Sequence, residues 1–172
     1  MSKIITYLQL RAARQVLNLG VRDIAKVLKV SKATISKSEL DKTRDFFYKN
    51  SAALIEFFEQ KNIIFPNEYS IRYNWNVCET KFLDGSDNNI TRFQLKAARH
   101  ILNISQNELA KLVNTDKGII SRAEQFPNEY LIKPQNPTIV VALKLLFQQY
   151  NIEFPDHLSI FFKKYVDNKS NR

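Results

Sequence analysis

The chain has 172 residues, 44% hydrophobic and 25% charged, which is enough apolar material to bury a core and excludes a disordered chain. Its 26 Lys and Arg against 17 Asp and Glu give a net charge of +9, pointing to a polyanionic partner such as nucleic acid or an anionic membrane surface. The single cysteine, Cys78, leaves no internal disulfide and fits a reducing compartment, while the lack of 18 consecutive apolar residues and of a cleavable leader speaks for a cytoplasmic protein with no membrane span.

Three glycines and five prolines predict a mainly helical chain with few tight loops. Thr6, Gly20 and Ser31 stand at the starts of three predicted helices, the second and third forming a short unit over residues 21–39. A fourth helix is expected from about residue 51 to 61. Two short segments rich in β-branched and aromatic residues follow, 63–65 and 70–74, separated by a Phe-Pro-Asn turn signal that suggests a hairpin. Trp75 and Cys78 lie beyond it, where they are expected to pack the two halves of the chain together. A polar stretch, Asp84-Gly85-Ser86-Asp87-Asn88-Asn89, falls in a predicted linker over residues 79–90.

The same plan then begins again. Residues 93–124 align without a gap to residues 8–39, and 13 of the 32 pairs are identical, among them Gln9/Gln94, Arg14/Arg99, Asn18/Asn103, Ala25/Ala110, Lys32/Lys117, Ser36/Ser121 and Glu39/Glu124. Thr91 is a good N-cap for a helix carrying Phe93, Leu95, Ala98, Ile101 and Leu102 at helical spacing. Ser105 and Glu108 make a capping box for the next helix, whose apolar stripe is Leu109, Leu112 and Val113. Asn114 and Thr115 form the turn, and Asp116 caps a third helix with Ile119, Ile120 and Ala123 facing inward. A helix over 138–150 and a hairpin over 152–154 and 159–163 complete the second copy. It is four residues longer than the first between the matched blocks, as a surface loop tolerates. Self-similarity over two units of about 80 residues is a duplication: residues 1–78 and 91–172 are read as two domains, with helix pairs at 21–39 and 105–124.

The blocks NLGVRDIAKVLKVSKATISKSE and NISQNELAKLVNTDKGIISRAE resemble the lambda-repressor-like (Cro/repressor, XRE-type) helix-turn-helix family. The resemblance implies two tandem helix-turn-helix domains, each followed by a short β-hairpin. In that family the third helix lies in the major groove and the second crosses the backbone. By position this brings Lys117, Gly118, Ser121 and Arg122 to DNA in the second copy, and Lys32, Ala33, Ser36 and Lys37 in the first. Arg and Lys suit the acceptors of guanine, Ser serves base or phosphate, and Thr34 offers a methyl group to thymine. Gln106 takes the position of a phosphate contact. The first copy departs here, with Val21 for the glutamine and Gly20 for the cap Ser105, although Lys29, Lys32 and Lys37 keep its recognition region basic. The family pairs Arg14 with Glu39 and Arg99 with Glu124 as structural salt bridges.

The aromatic residues, including Phe46, Phe47, Tyr48, Phe58, Phe65, Phe147 and Phe162, sit at helical or alternating spacing and are expected in the core or a dimer seam rather than stacking on bases. No metal, cofactor or catalytic residue is assigned: the two histidines, His100 and His157, have no ligand or nucleophile at a useful spacing, and His100 is expected on the solvated side of its helix. The sequence therefore predicts no enzyme but a transcription regulator, most simply a repressor, of bacterial or phage-like type and nucleoid-associated when bound. It would bind double-stranded DNA and offer its hairpins for homodimerisation. The alternative is a protein-interaction module, such as an antitoxin or adaptor, that uses the same scaffold to hold a protein partner.

Overall fold

The computed structural model describes residues 4–41, 44–74, 89–125, 127–132 and 137–163. Two rounds of four helices and a two-stranded hairpin follow one another: α1 (Tyr7–Val16), α2 (Val21–Leu28), α3 (Lys32–Asp41), α4 (Arg44–Glu59), β1 (Ile63–Ile64) and β2 (Ser70–Tyr73), then α5 (Arg92–Ile101), α6 (Gln106–Leu112), α7 (Lys117–Ala123), α8 (Thr138–Gln149), β3 (Ile152–Glu153) and β4 (Ser159–Phe162). The protein is mainly helical with one small antiparallel sheet. Among the described residues no helix is long and apolar enough to cross a membrane.

Local chemistry explains the repeated elements. Thr6 opens α1 with a capping box, its hydroxyl accepting the Gln9 N–H while Gln9 Oε1 accepts the Thr6 N–H at 2.9 Å; Thr91 and Gln94 do the same for α5. Among the described residues, six other than glycine adopt positive φ, and they fall into three copy-related pairs: Asn18 and Asn103, Lys29 and Asn114, Asn62 and Asn151. Asparagine tolerates the left-handed region better than most side chains, so it can end a helix where the chain must turn sharply. Asn67 and Asp156 shape the hairpin turns, their Oδ1 atoms accepting the N–H groups of Tyr69 and Leu158 at 2.8 and 2.7 Å.

The two copies pack into a single core. The hairpins join edge to edge into a four-stranded sheet of order β1-β2-β4-β3. In the central pair Ile71 faces Ile160, with Ser70 opposite Phe161 and Arg72 opposite Ser159. Since Ser70 corresponds to Ser159 and Arg72 to Phe161, this register is unchanged when the copies are exchanged, which is the signature of an approximate two-fold axis. The axis also relates α1 and α5, which pack on each other. From the first half of each helix a cation reaches the C-terminal end of the other: Arg11 Nη2 donates to the Ile101 carbonyl at 3.1 Å, and Lys96 Nζ bonds the Asn18 side chain.

Four expectations are corrected. The helix expected from residue 51 starts at Arg44, seven residues earlier, because Ser51 sits inside it: its hydroxyl donates to the Phe47 carbonyl at 2.6 Å and accepts the Ile5 N–H at 2.8 Å. The extra length of the second copy is not a free surface loop where it is described. Leu131 and Ile132 are buried, and residues 127–132 turn back along the start of α5, the Tyr130 carbonyl accepting the Arg92 N–H and the Asn128 carbonyl that of Phe93, so donors that a helix start leaves open are satisfied. The hairpins expected to pair two chains pair first with each other, through β2 and β4, with β1 and β3 left at the sheet edges. Lastly, Leu112 is 51% exposed rather than part of the inward stripe of α6. Trp75, Cys78 and nearly all of the predicted linker lie outside the described residues.

Candidate nucleic-acid interface

Each copy presents two short helices joined by a tight turn. In the second copy Ser105 caps α6, accepting the Glu108 N–H, and Glu108 Oε2 accepts the Ser105 N–H at 2.7 Å. In the first, Gly20 has no side chain to give, and Asp23 Oδ2 alone closes the box on the Gly20 N–H at 2.8 Å. Lys29 (φ 54) and Asn114 (φ 50) make the turn, after which Val30 N–H bonds the Ala25 carbonyl and Thr115 N–H the Ala110 carbonyl. Ala25 and Ala110 are buried where the helices cross, with Ile24 and Leu109 beside them and Ile35 and Ile120 on the following helix. Small residues at the crossing let the second helix of each pair seat firmly on the first while its outer side stays in water.

That outer side is basic. Lys32, Ala33, Thr34 and Lys37 of α3 are exposed and Ser36 is half-buried; on α7, Lys117, Gly118 and Arg122 are exposed and Ser121 is half-buried. No acidic residue occurs between residues 32 and 38 or within α7. Ser31 caps α3, accepting the Thr34 N–H at 3.1 Å, and its hydroxyl also bonds the Thr34 hydroxyl at 2.9 Å. Asp116 occupies the cap position of α7 but its side chain accepts no bond there. The Arg122 guanidinium lies back over Gly118, where a Cβ would stand 3.4 Å from Nη1. Gly118 thus leaves room for Arg122 to lie flat along the helix.

Behind this surface stand two forked ion pairs. Arg14 meets Glu39 through Nε and Nη2 at 3.0 and 2.9 Å, and Arg99 meets Glu124 at 2.5 and 2.8 Å; all four side chains are about nine-tenths buried or more. Each arginine also donates Nη1 to a carbonyl in the turn before the next helix, Leu19 or Ile104, at 2.8 Å. The pair therefore ties the first helix of a copy to its third and to the start of its second. Gln106 Nε2 donates to Glu124 Oε2 at 2.9 Å, so this side chain braces the ion pair from the start of α6. Val21 gives the first copy no equivalent donor.

His100 is not on a solvated face. It is largely buried, its Nε2 lies 2.9 Å from Arg99 Nη2, and burial followed by the nearby cations Arg99, Lys96, Arg11 and Arg14 pushes its pKa down to about 3. A neutral ring then accepts the arginine N–H. The covering comes from the other copy: α1 lies over the side of α5 that the repeat pattern leaves polar, so Arg92 and Lys96 are buried too. Burial, with Arg92 next to it, lowers the Lys96 pKa to about 8. Arg92 bonds the Val16 carbonyl at 2.6 Å and the Glu124 carbonyl at 2.9 Å and also reaches the Asn128 side chain. Its counterpart in the first copy is Tyr7, so no sequence match announces this bridge. Between α1, α3 and the start of α6 a cleft of about 520 Å³ remains, lined by Ser36 of α3 and by Arg11, Gln15, His100 and Ser105.

Gln9 and Gln94 are the residues whose importance went unassigned. Besides closing the capping boxes, Gln9 Nε2 donates to the Asn67 and Ser70 carbonyls at 2.7 and 2.9 Å, and Gln94 Nε2 to those of Asp156 and Ser159. Each fully buried amide pins its helix to the hairpin turn of its own copy. Their identity in both copies was the available signal.

Comparison with known proteins returns no matching family, no similar curated protein and no similar solved structure. The functional reading rests on the residues and their arrangement.

Proposed function

We propose that the chain is a sequence-specific double-stranded DNA binder, a transcription regulator of lambda-repressor-like type that carries both halves of a two-fold reader in one polypeptide. The observation that carries this reading is the basic outer face of α3 and α7, repeated at matching positions (Lys32 with Lys117, Lys37 with Arg122) on the helix that follows the tight turn in each copy. An α-helix fits the major groove, where Arg and Lys find the N7 and O6 acceptors of guanine. Two such helices related by a two-fold match the pseudo-palindromy of duplex operators. Such a protein blocks a promoter by occupying it, which makes repression the simplest regulatory outcome.

The copies are alike but not equal, so the preferred site is an imperfect palindrome. The second copy has the better-capped α6 and an arginine at position 122; the first offers lysine at 37 and no glutamine at the start of α2. Selection from random duplex DNA, followed by titration of the recovered sequence across salt concentrations, tests this directly. Two unlike half-sites about 10 base pairs apart, bound far more tightly than scrambled DNA, are the expected result. Arg122→Ala should relax the choice of base at one position by about 1–3 kcal/mol, and Lys32→Ala, which removes a charge from the same kind of face, should weaken binding and flatten the salt dependence. Recovery of no motif, with weak and steeply salt-dependent binding, would refute sequence reading and favour the alternative of a scaffold for a protein partner.

A further inference from the structure

The outer face of α8 differs from its counterpart in a way the rest of the duplication does not. Leu54 and Phe58 of α4 and Leu143 and Phe147 of α8 are all fully buried, which fixes the equivalence of the two helices at the spacing of the matched hairpins. At that equivalence the exposed positions Lys49, Ala52, Glu56 and Glu59 of α4 become Thr138, Val141, Leu145 and Gln148 of α8. Three charges are gone, and Val141 and Leu145 stand 49% and 55% exposed. One copy keeps a solvated helix face, whereas the other carries an uncharged apolar stripe at the same place.

We propose that this stripe is where two copies of the chain associate, α8 against α8 in opposite directions. The spacing of the four positions, three-four-three, is that of a helix-to-helix seam. Turned end for end about Leu143, the stripe lays Val141 on the partner's Leu145 and Thr138 on the partner's Gln148. Apolar meets apolar at the centre and polar meets polar at the ends, twice over by symmetry. Lys144 comes opposite the partner's Ala142, so no like charges meet. The same register on α4 would bury Glu56 against alanine, which its charge forbids. The α1–α5 and β2–β4 surfaces are already used within the chain, and the sheet edges are strands of only two residues each, β1 and β3, so α8 is the longer element left for a further copy. A helix of 12 residues is about 18 Å long and buries less than the roughly 1,200 Å² of a stable interface. The pair is therefore weak and forms where chains are concentrated or held side by side.

The inference does not depend on DNA binding and is tested without it. Sedimentation velocity of the full chain over roughly 10 µM to 1 mM, where a contact this small is partly populated, should show monomer giving way to dimer. Leu145→Glu, which restores the residue of the first copy, and Val141→Lys should each stay monomeric throughout. Mixed in equal amounts they should regain a dimer fraction at least tenfold above either alone, because only opposite directions bring the new lysine onto the new glutamate. Recovery on mixing also shows that both variants are folded. A wild-type chain that stays monomeric over the whole range overturns the proposal. So does association that Leu145→Glu leaves untouched, or a mixture that behaves like its components.

Discussion

Arg99 bonds four acceptors: two oxygens of Glu124, the Ile104 carbonyl and the His100 ring. Replacing Glu124 by Gln keeps the shape and strands the buried guanidinium, which should cost about 3–5 kcal/mol in urea unfolding. Glu39→Gln should cost less by about 1 kcal/mol, the worth of one hydrogen bond, since no glutamine braces that pair. His100 adds a pH dependence of definite sign. The unfolded chain takes up its proton near pH 6.5, whereas the folded chain resists it until about pH 3. Stability is therefore full above 6.5 and falls as the pH drops toward 3, by up to about 1.4 kcal/mol per unit from this group. His100→Gln, which installs the residue that Gln15 represents in the first copy, should flatten the decline in urea midpoint between pH 7.5 and 5. The spacing of Arg99 and Glu124 was legible through a family resemblance. The burial of His100 was not, because a helical wheel shows a polar side and says nothing of a second helix laid across it.

At the scale of elements, legibility followed how local the cause was. The starts of α1, α5 and α6 are written in Thr6, Thr91 and Ser105 with their partners three residues on, and the hairpins in the Phe-Pro turns. The start of α4 was missed because a serine bonding back to the Phe47 carbonyl inside a helix is the same residue type that begins one, and because Phe46, Phe47 and Tyr48 in a row give no clean stripe. Phe47 is buried while Tyr48 is 70% exposed. The tie from α5 to its hairpin was equally hidden, since Gln94 lies more than 60 residues from the carbonyls it holds. Gln94→Leu removes those bonds and the return half of the capping box at once. It should lower stability by about 2–4 kcal/mol, the cost of leaving buried polar groups unpaired, with helix content in the remaining folded protein unchanged by circular dichroism.

For the whole molecule, the sequence showed that there are two copies and left open how they meet. The contacts between them are long-range, among them Ile71 against Ile160 in the sheet, and Arg92 and Lys96 against the end of α1. Because one core serves both, urea should unfold the chain in a single transition that fluorescence and circular dichroism report alike. Ile160→Asp places a charge at the centre of the shared sheet and should destabilise both copies together by more than 3 kcal/mol. Two separate transitions in the wild-type chain would mean the copies fold independently.

The exchange-symmetric register of β2 and β4 has a consequence for dosage. A reader assembled from two separate chains vanishes on dilution, and its active form rises with the square of the amount made. Here the halves arrive joined, so every molecule synthesised is already paired. On the proposed DNA-reading role, its response would grow in simple proportion to copy number, without a threshold from pairing, down to a handful of molecules in a cell.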